Sequence, residues 1–453
     1  MNIADIADKI VSLSEKSGAT QAEVYAIRVK TASTYIDDDI PKIGASLIES
    51  GIGLKYIIGK QIGFTSSTLS QESPEAVVER AKSIARVSNE DLKFVSLPEP
   101  KKVSGSPEKY HDADTAAADS TILMEKAMEV VKGASADNVT VPNGSLRTSS
   151  VHYHIRNSLG VDVGSKGTVA FGFFTAKSED DSGVGEGVQR CWSRELSSID
   201  FPNIGEVLKS QALSVLTAKS FKEKWDDAVG VLAPSEGSEI LYSLVAFAAN
   251  GDNVNKKSSP WTDKVGETVA GENISILDNG LSEKGLLGSI VDDEGVPTQK
   301  TQIIENGVLK SYFFDSYSAN QLEMQSTGNG IRRIARDLAG RFTAPAVCAG
   351  TTMEVKPGTK SVDDIISEIK RGVYVEHFAW PIVDPMSGTF SNEIRNARII
   401  ENGELGGPIK YALWVGNLYE SLKGNVMVAN DPAVHDKRVV PTIAFPGTEI
   451  VGQ

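Results

Sequence analysis

Apolar residues recur at helical spacing in only a few stretches of this chain; elsewhere they alternate with polar ones between glycine turns. Ile3, Ile6, Ile10 and Leu13, with Asp and Glu between them, predict an amphipathic helix at the start. Val24 to Ile36 and Gly51 to Ser67 read as strands, because β-branched and aromatic residues recur there between glycines. Ser73, Pro74 and Glu75 predict a helix start, with a capping hydroxyl, a proline in the first turn and an acid facing the helix dipole. That helix is expected to run to Arg86. From Leu97 to Asp114 the text turns to Pro, Lys, Ser and Gly, a linker-like stretch. A further helix is expected over Thr115–Lys132, stopped by Gly133. Three strands follow as a meander in RTSSVHYHI, GVDVG and TVAFGFFTA. Asn203 with Glu206 reads as a capping box for a helix over Ile204–Lys219.

The polar stretch SFKEKWDD precedes new strand-like sequence at Ala228, which sets the expected division at 1–222 and 223–453. The second part carries a near-repeat, Ile303 to Leu309 and Ile399 to Leu405, each with Glu-Asn-Gly at its centre. Asn-Gly between apolar flanks predicts a two-residue hairpin turn, since both central positions need positive φ. With few helices beyond one near Ser361–Arg371, the second part is expected to be mostly antiparallel β, barrel- or sandwich-like. The expected fold class is α+β, with an α+β N-terminal domain.

Composition narrows the function. At 453 residues the chain exceeds the roughly 250–300 over which one core grows, so two domains are expected. A net charge of -14 disfavours direct contact with nucleic acid. No apolar run approaches the roughly 20 residues of a membrane span, and the N-terminal helix is too polar for a signal peptide. Two widely spaced cysteines, Cys191 and Cys348, point to a reducing cytoplasm rather than a disulfide framework.

Candidate chemistry is sparse. The five histidines are His111, His152, His154, His377 and His435, and no two stand one helical turn apart. His152 and His154 share a strand face and read as a metal pair lacking further ligands, or as packing and surface residues. Cys348, among small apolar residues, reads as a buried inert thiol. Asp292, Asp293 and Glu294 before Gly295 read either as a cation or amine site, or as solvated carboxylates in a turn. The segment STGNGIRR, with Gly328, Asn329 and Arg332, offers N–H groups and a guanidinium to a carboxylate or peptide carbonyl. Its alternative is a flexible surface loop.

Several motifs, in order, carry a resemblance: VGETVA (265–270), VDDEGVPTQKTQIIENGVLKSYFFDSYSA (291–319), STGNG (326–330), the second hairpin IIENGEL and VGN (415–417). From about Ala228 onward the chain resembles the TldD/PmbA family, a metalloprotease family that includes proteins called modulators of DNA gyrase. The resemblance implies two associating subunits with a substrate channel between them. The TldD-type subunit bears zinc on a His-Glu-x-x-x-His helix and a later cysteine. The PmbA- or TldE-type subunit lacks these, and the pair trims small or unfolded peptides, including antibiotic precursors. Aligned on VGE and Gly251-Asp252, the family's metal helix falls on Ser235–Asn250. Its two histidines and glutamate fall on Tyr242, Ser243 and Phe247, and the later segment Asn430–Gly447 has no cysteine. The expectation is therefore a pseudo-enzyme with no catalytic residue, metal or cofactor of its own, zinc belonging to the TldD-type partner. Asp292, Asp293, Glu294, Gly328, Asn329 and Arg332 are its substrate-channel candidates. A homodimer, a self-sufficient hydrolase using those acids with His377, and a modulator that contacts a topoisomerase are the alternatives.

Overall fold

The computed structural model describes residues 2–69, 71–181, 183–332 and 338–452. Helix α1 (Ile3–Lys16) buries Ile6, Ile10 and Val11 with Val24 and Ala26 of strand β1 (Gln21–Asp37) and Ile52, Leu54 and Tyr56 of β2 (Ile40–Ile58), which pairs in turn with β3 (Gln61–Thr68). Helix α2 (Pro74–Val87) is capped by the Ser73 hydroxyl and packs on the same face through Val77, Val78 and Ala81. The stretch 97–114 is anchored rather than solvated: Leu97 and Tyr110 are buried, and the Arg194 guanidinium lies over the Tyr110 ring. A short helix α3 (Ala113–Ala117) leads into α4 (Ser120–Ala134), which starts later than expected because Asp119 caps it.

The expected three-strand meander is two long strands joined by a turn, β4 (Val139–Asn157) and β5 (Asp162–Asp180), followed by β6 (Gly183–Ser193). GVDVG and TVAFGFFTA belong to one strand, because glycine inside a ladder does not by itself end it. Helix α5 (Phe201–Thr217) is capped by Asp200, which accepts from the Asn203 N–H, so Asn203 lies in the first turn rather than at the cap. The sheet order is β3-β2-β1-β4-β5-β6, antiparallel throughout.

Alternation along β1 divides this sheet. Val24, Ala26, Ala32 and Ile36 face the helices, whereas Tyr25, Ile27 and Val29 pack with Tyr153, Ile155, Ile290, Val291 and Phe342. The second face is the one that meets the C-terminal part of the chain.

That part contains a closed five-stranded barrel. Arg371–Phe378 pairs with Lys224–Leu232, then in turn come Ile443–Gly452, Ala412–Asn417 and Thr389–Glu401, which pairs back with Arg371–Phe378. The first pairing is parallel and the rest are antiparallel. Trp414 fills the interior, 3.9 Å from the Phe390 ring centroid and 5.6 Å from that of Phe378. Gly230 lies opposite it, where a Cβ would come within 2.4 Å of the indole nitrogen. Both expected hairpins form, with Asn306-Gly307 and Asn402-Gly403 at positive φ. The helix after Ser361 is shorter than expected, Val362–Ser367, since Arg371 already begins a barrel strand. A second, six-stranded sheet includes Ile276–Asn279, Met353–Val355, Arg438–Val440 and Ala433–His435.

Candidate functional site

The acidic turn and the STGNG loop form one buried cluster at the junction of the two parts. Asp292, Asp293 and Glu294 are 2%, 4% and 4% exposed, which overturns the solvated reading. Asp292 accepts N–H bonds from Glu294 and Val296 (both 2.9 Å) and from Gly330 (2.8 Å). Asp293 accepts from the Arg332 N–H at 2.8 Å, and its own N–H donates to the Gly330 carbonyl. Glu294 accepts from the Ser316 N–H at 2.9 Å. A Cβ on Gly330 would sit 2.5 Å from the Glu294 side chain, so glycine is required for this close approach.

Asn329, 1% exposed, donates to Asp278 at 2.6 Å and to the Ala349 carbonyl at 2.9 Å. Gly328, at positive φ, donates its N–H to Ser326. The loop is thus an internal connector, not a flexible surface loop; Arg333, its last residue, lies outside the described residues. Nor does Arg332 await a substrate carboxylate: its guanidinium bonds Glu23 at 2.9 Å and the Ala344 carbonyl at 2.6 Å, above the Tyr25 ring at 4.6 Å. Glu23 and Arg332 side chains are both fully buried, with Lys55 at 3.7 Å from the same carboxylate oxygen. A cavity of about 50 Å³ beside the cluster, lined by Tyr153, Arg194, Asp293 and Arg341, has room for a few waters and not for a peptide.

So many carboxylates in one interior raise their own proton affinity. Burial, then Asp315, pushes Glu294 up to about 7. Burial likewise takes Asp278 to about 6, against the bonds from Asn329 and Thr351. Asp292 is raised by burial and by Glu294, opposed by its three backbone donors. Sequence reasoning missed Glu23, Lys55, Asp278 and Asp315. Glu23 had one signal, a charge on the strand face otherwise made of Tyr25, Ile27 and Val29.

The other candidates lie apart. His377 has Glu236 beside it, 3.6 Å from Nδ1, and none of the three acids, so the hydrolase constellation is not assembled among the described residues. Cys348 is buried and its thiol is pushed up to about 12 by burial, an unreactive state. His154 bonds Asp162 at 2.8 Å, while His152 meets the ring of His111 at 5.7 Å.

The helix expected over Ser235–Asn250 is observed as Pro234–Ala248, buried through Ile240, Leu241, Leu244 and Val245. Tyr242, Ser243 and Phe247 are half-buried on it. The Ser243 hydroxyl is turned back onto the Glu239 carbonyl at 2.9 Å. Over the Tyr242 ring lie Lys437, 4.7 Å from its centroid, and Arg438 at 5.7 Å. A phenol, a hydroxyl and a phenyl ring do not fit a zinc ion, which needs imidazole, thiolate or carboxylate donors. Among the described residues no group of three or more His, Cys, Asp or Glu could hold a metal.

Family models match both parts: the PmbA/TldA metallopeptidase C-terminal domain over residues 229–452, and domain 1 of the same metallopeptidases over residues 22–85. The chain belongs to the TldD/PmbA family. It is 27% identical to an uncharacterized protein of Methanocaldococcus jannaschii, over 97% of this chain and 98% of that one. A metalloprotease TldD homolog of Haemophilus influenzae is 26% identical, over 90% of this chain and 85% of the relative. The crystal structure of TldE from Thermococcus kodakarensis superimposes with a TM-score of 0.88 at 26% identity, covering 99% of this chain and 100% of that one. The TldD/PmbA fold, with its α+β N-terminal half and barrel-containing C-terminal half, is therefore that of this chain.

Proposed function

We propose that this chain is a TldE/PmbA-type subunit that assists a zinc-bearing TldD-type metallopeptidase in processing small or unfolded peptides, without metal chemistry of its own. One observation carries the reading: at the helix positions where family members of the catalytic kind are expected to hold zinc, this chain has Tyr242, Ser243 and Phe247, with Lys437 and Arg438 over the Tyr242 ring. None of these three side chains offers the imidazole, thiolate or carboxylate that a zinc ion takes, which supports the reading. Likeness to TldE over the whole chain supports the same reading. The two free thiols, Cys191 and Cys348, suit a cytoplasmic setting.

The test is an assay of an unfolded polypeptide with the purified chain alone, with a TldD-type subunit from the same organism alone, and with both. Cleavage is expected to rise sharply only in the mixture, with a stable complex on gel filtration. Chelator-sensitive cleavage by the isolated chain would overturn the proposal.

A further inference from the structure

Strand β2 outruns its outer neighbour. β3 pairs with Gly51–Ile58 alone, and among the described residues no strand pairs with the outer side of Ile40–Glu49. Ile43, Leu47 and Ile48 on this free edge are 63%, 52% and 67% exposed, with Tyr35 and Ile40 exposed beside them. Unpaired backbone groups flanked by exposed apolar side chains are a template for another strand. The register decides which groups face outward. The Ser50 carbonyl accepts from the Leu69 N–H, so the backbone groups of Ser50 point away from β1. Ser50 lies opposite Arg28, Ile48 opposite Lys30 and Ser46 opposite Ala32, in steps of two, so all three point outward. The register then shifts, and Thr34 lies opposite Ile43, which therefore points outward as well. The extra residue falls at Gly44-Ala45, where the Ser33 hydroxyl meets both the N–H and the carbonyl of Ala45. A regular strand could not turn both 43 and 48 outward; the bulge makes it possible. Ile43 and Ile48 share the face of Ala32, which packs on α4, while Lys42 and Glu49 lie on the other face, opposite Tyr35 and Val29.

We infer that this edge pairs antiparallel with the same edge of a second copy of the chain, about a two-fold axis between Ala45 and Ser46. The strand is self-complementary in that register. Ile43 meets Ile48 of the other copy on one face and Lys42 meets Glu49 on the other, each pair occurring twice. The outward N–H and C=O groups of Ile43 and Ile48 bond across the axis. Lys42 keeps its ion pair with Asp37 of its own chain, so the apolar pairs and backbone bonds hold the contact, and Lys42 with Glu49 selects the register. The ladder also ends by itself: Pro41, with no N–H to give, comes opposite Ser50, whose carbonyl is already taken by Leu69. Such a contact consumes both free edges and closes as a dimer. It stands independently of the partner-subunit reading.

Sedimentation velocity on the isolated full chain, over a dilution series, tests it. A species of twice the 48.4 kDa chain mass is expected, dissociating on dilution. Ile48→Lys, at an exposed position, is expected to weaken the dimer about tenfold or more. Lys42→Glu and Glu49→Lys each weaken it, and both together in one chain restore it, because the exchanged charges meet again across the axis. A monomer at every concentration, a dimer indifferent to Ile48→Lys, or no recovery in the double variant overturns the inference. Should Ile48→Lys fail to fold, amide hydrogen exchange in the unaltered protein decides: the N–H groups of Ile43 and Ile48 are protected in the dimer and exchange freely on dilution, and free exchange under both conditions overturns the pairing. A monomeric chain whose Ile48→Lys variant loses cleavage in the two-subunit mixture assigns the edge to the TldD-type partner and overturns pairing with a second copy.

Discussion

Glu294 shows how burial becomes a measurable property of one residue. Its carboxyl, ordinarily near 4.5, is raised to about 7 in the fold, and Asp278 is raised to about 6. A carboxyl with a raised folded pKa binds more protons folded than unfolded between those values. Stability from it is therefore full at low pH and lost as pH rises through about 5 to 7. Glu294→Gln, which keeps an acceptor for the Ser316 N–H, is expected to flatten the fall in urea midpoint between pH 5.5 and 8. An unchanged slope would place the titration elsewhere. At Gly330 the added methyl of Gly330→Ala meets Glu294, and a loss of about 1–3 kcal/mol in urea unfolding is expected. The chain spelling of Asp-Asp-Glu-Gly and Ser-Thr-Gly-Asn-Gly marked these positions, but not their burial, because what packs on them includes β1, whose Glu23 is 309 residues from Arg332. The lone acid Glu23 could be read only once β1 was known to turn Tyr25, Ile27 and Val29 toward Ile290, Val291 and Phe342.

Between elements, the decisive contact is the buried pair of Glu23 on β1 and Arg332 beyond the STGNG loop. Arg332→Met leaves Glu23 buried with only Lys55 near it, at an expected cost of about 3–5 kcal/mol. Adding Glu23→Gln should restore much of the loss, read as a non-additive double-mutant cycle in denaturant midpoints. Caps and turns were the most legible elements. Ser73 accepts from the Ala76 N–H, and Ser73→Ala is expected to cost about 1 kcal/mol by the same measurement. Two local signals misled. Asp200 outcompeted Asn203 as a cap, and the glycines within β5 lie in an unbroken ladder and do not end the strand. Strand residues 40–50 were not expected, because Ile43, Leu47 and Ile48 are exposed there and the stretch has no buried alternation to reveal it.

At the scale of the molecule, the closed barrel depends on a parallel pairing between Lys224–Leu232 and Arg371–Phe378, segments far apart in sequence that carry no mutual signal. Family resemblance supplied what periodicity did not: the match of residues 229–452 and the likeness to TldE agree with the motifs recognised in the sequence. The proposed assignment of zinc to a TldD-type partner and none to this chain is tested by a chelator exchange. Each subunit is treated separately with a chelator, freed of it, and mixed with its untreated counterpart, and peptide cleavage is measured. Treating the TldD-type subunit should abolish cleavage and treating this chain should leave it unchanged; loss of cleavage on treating this chain alone would contradict the account.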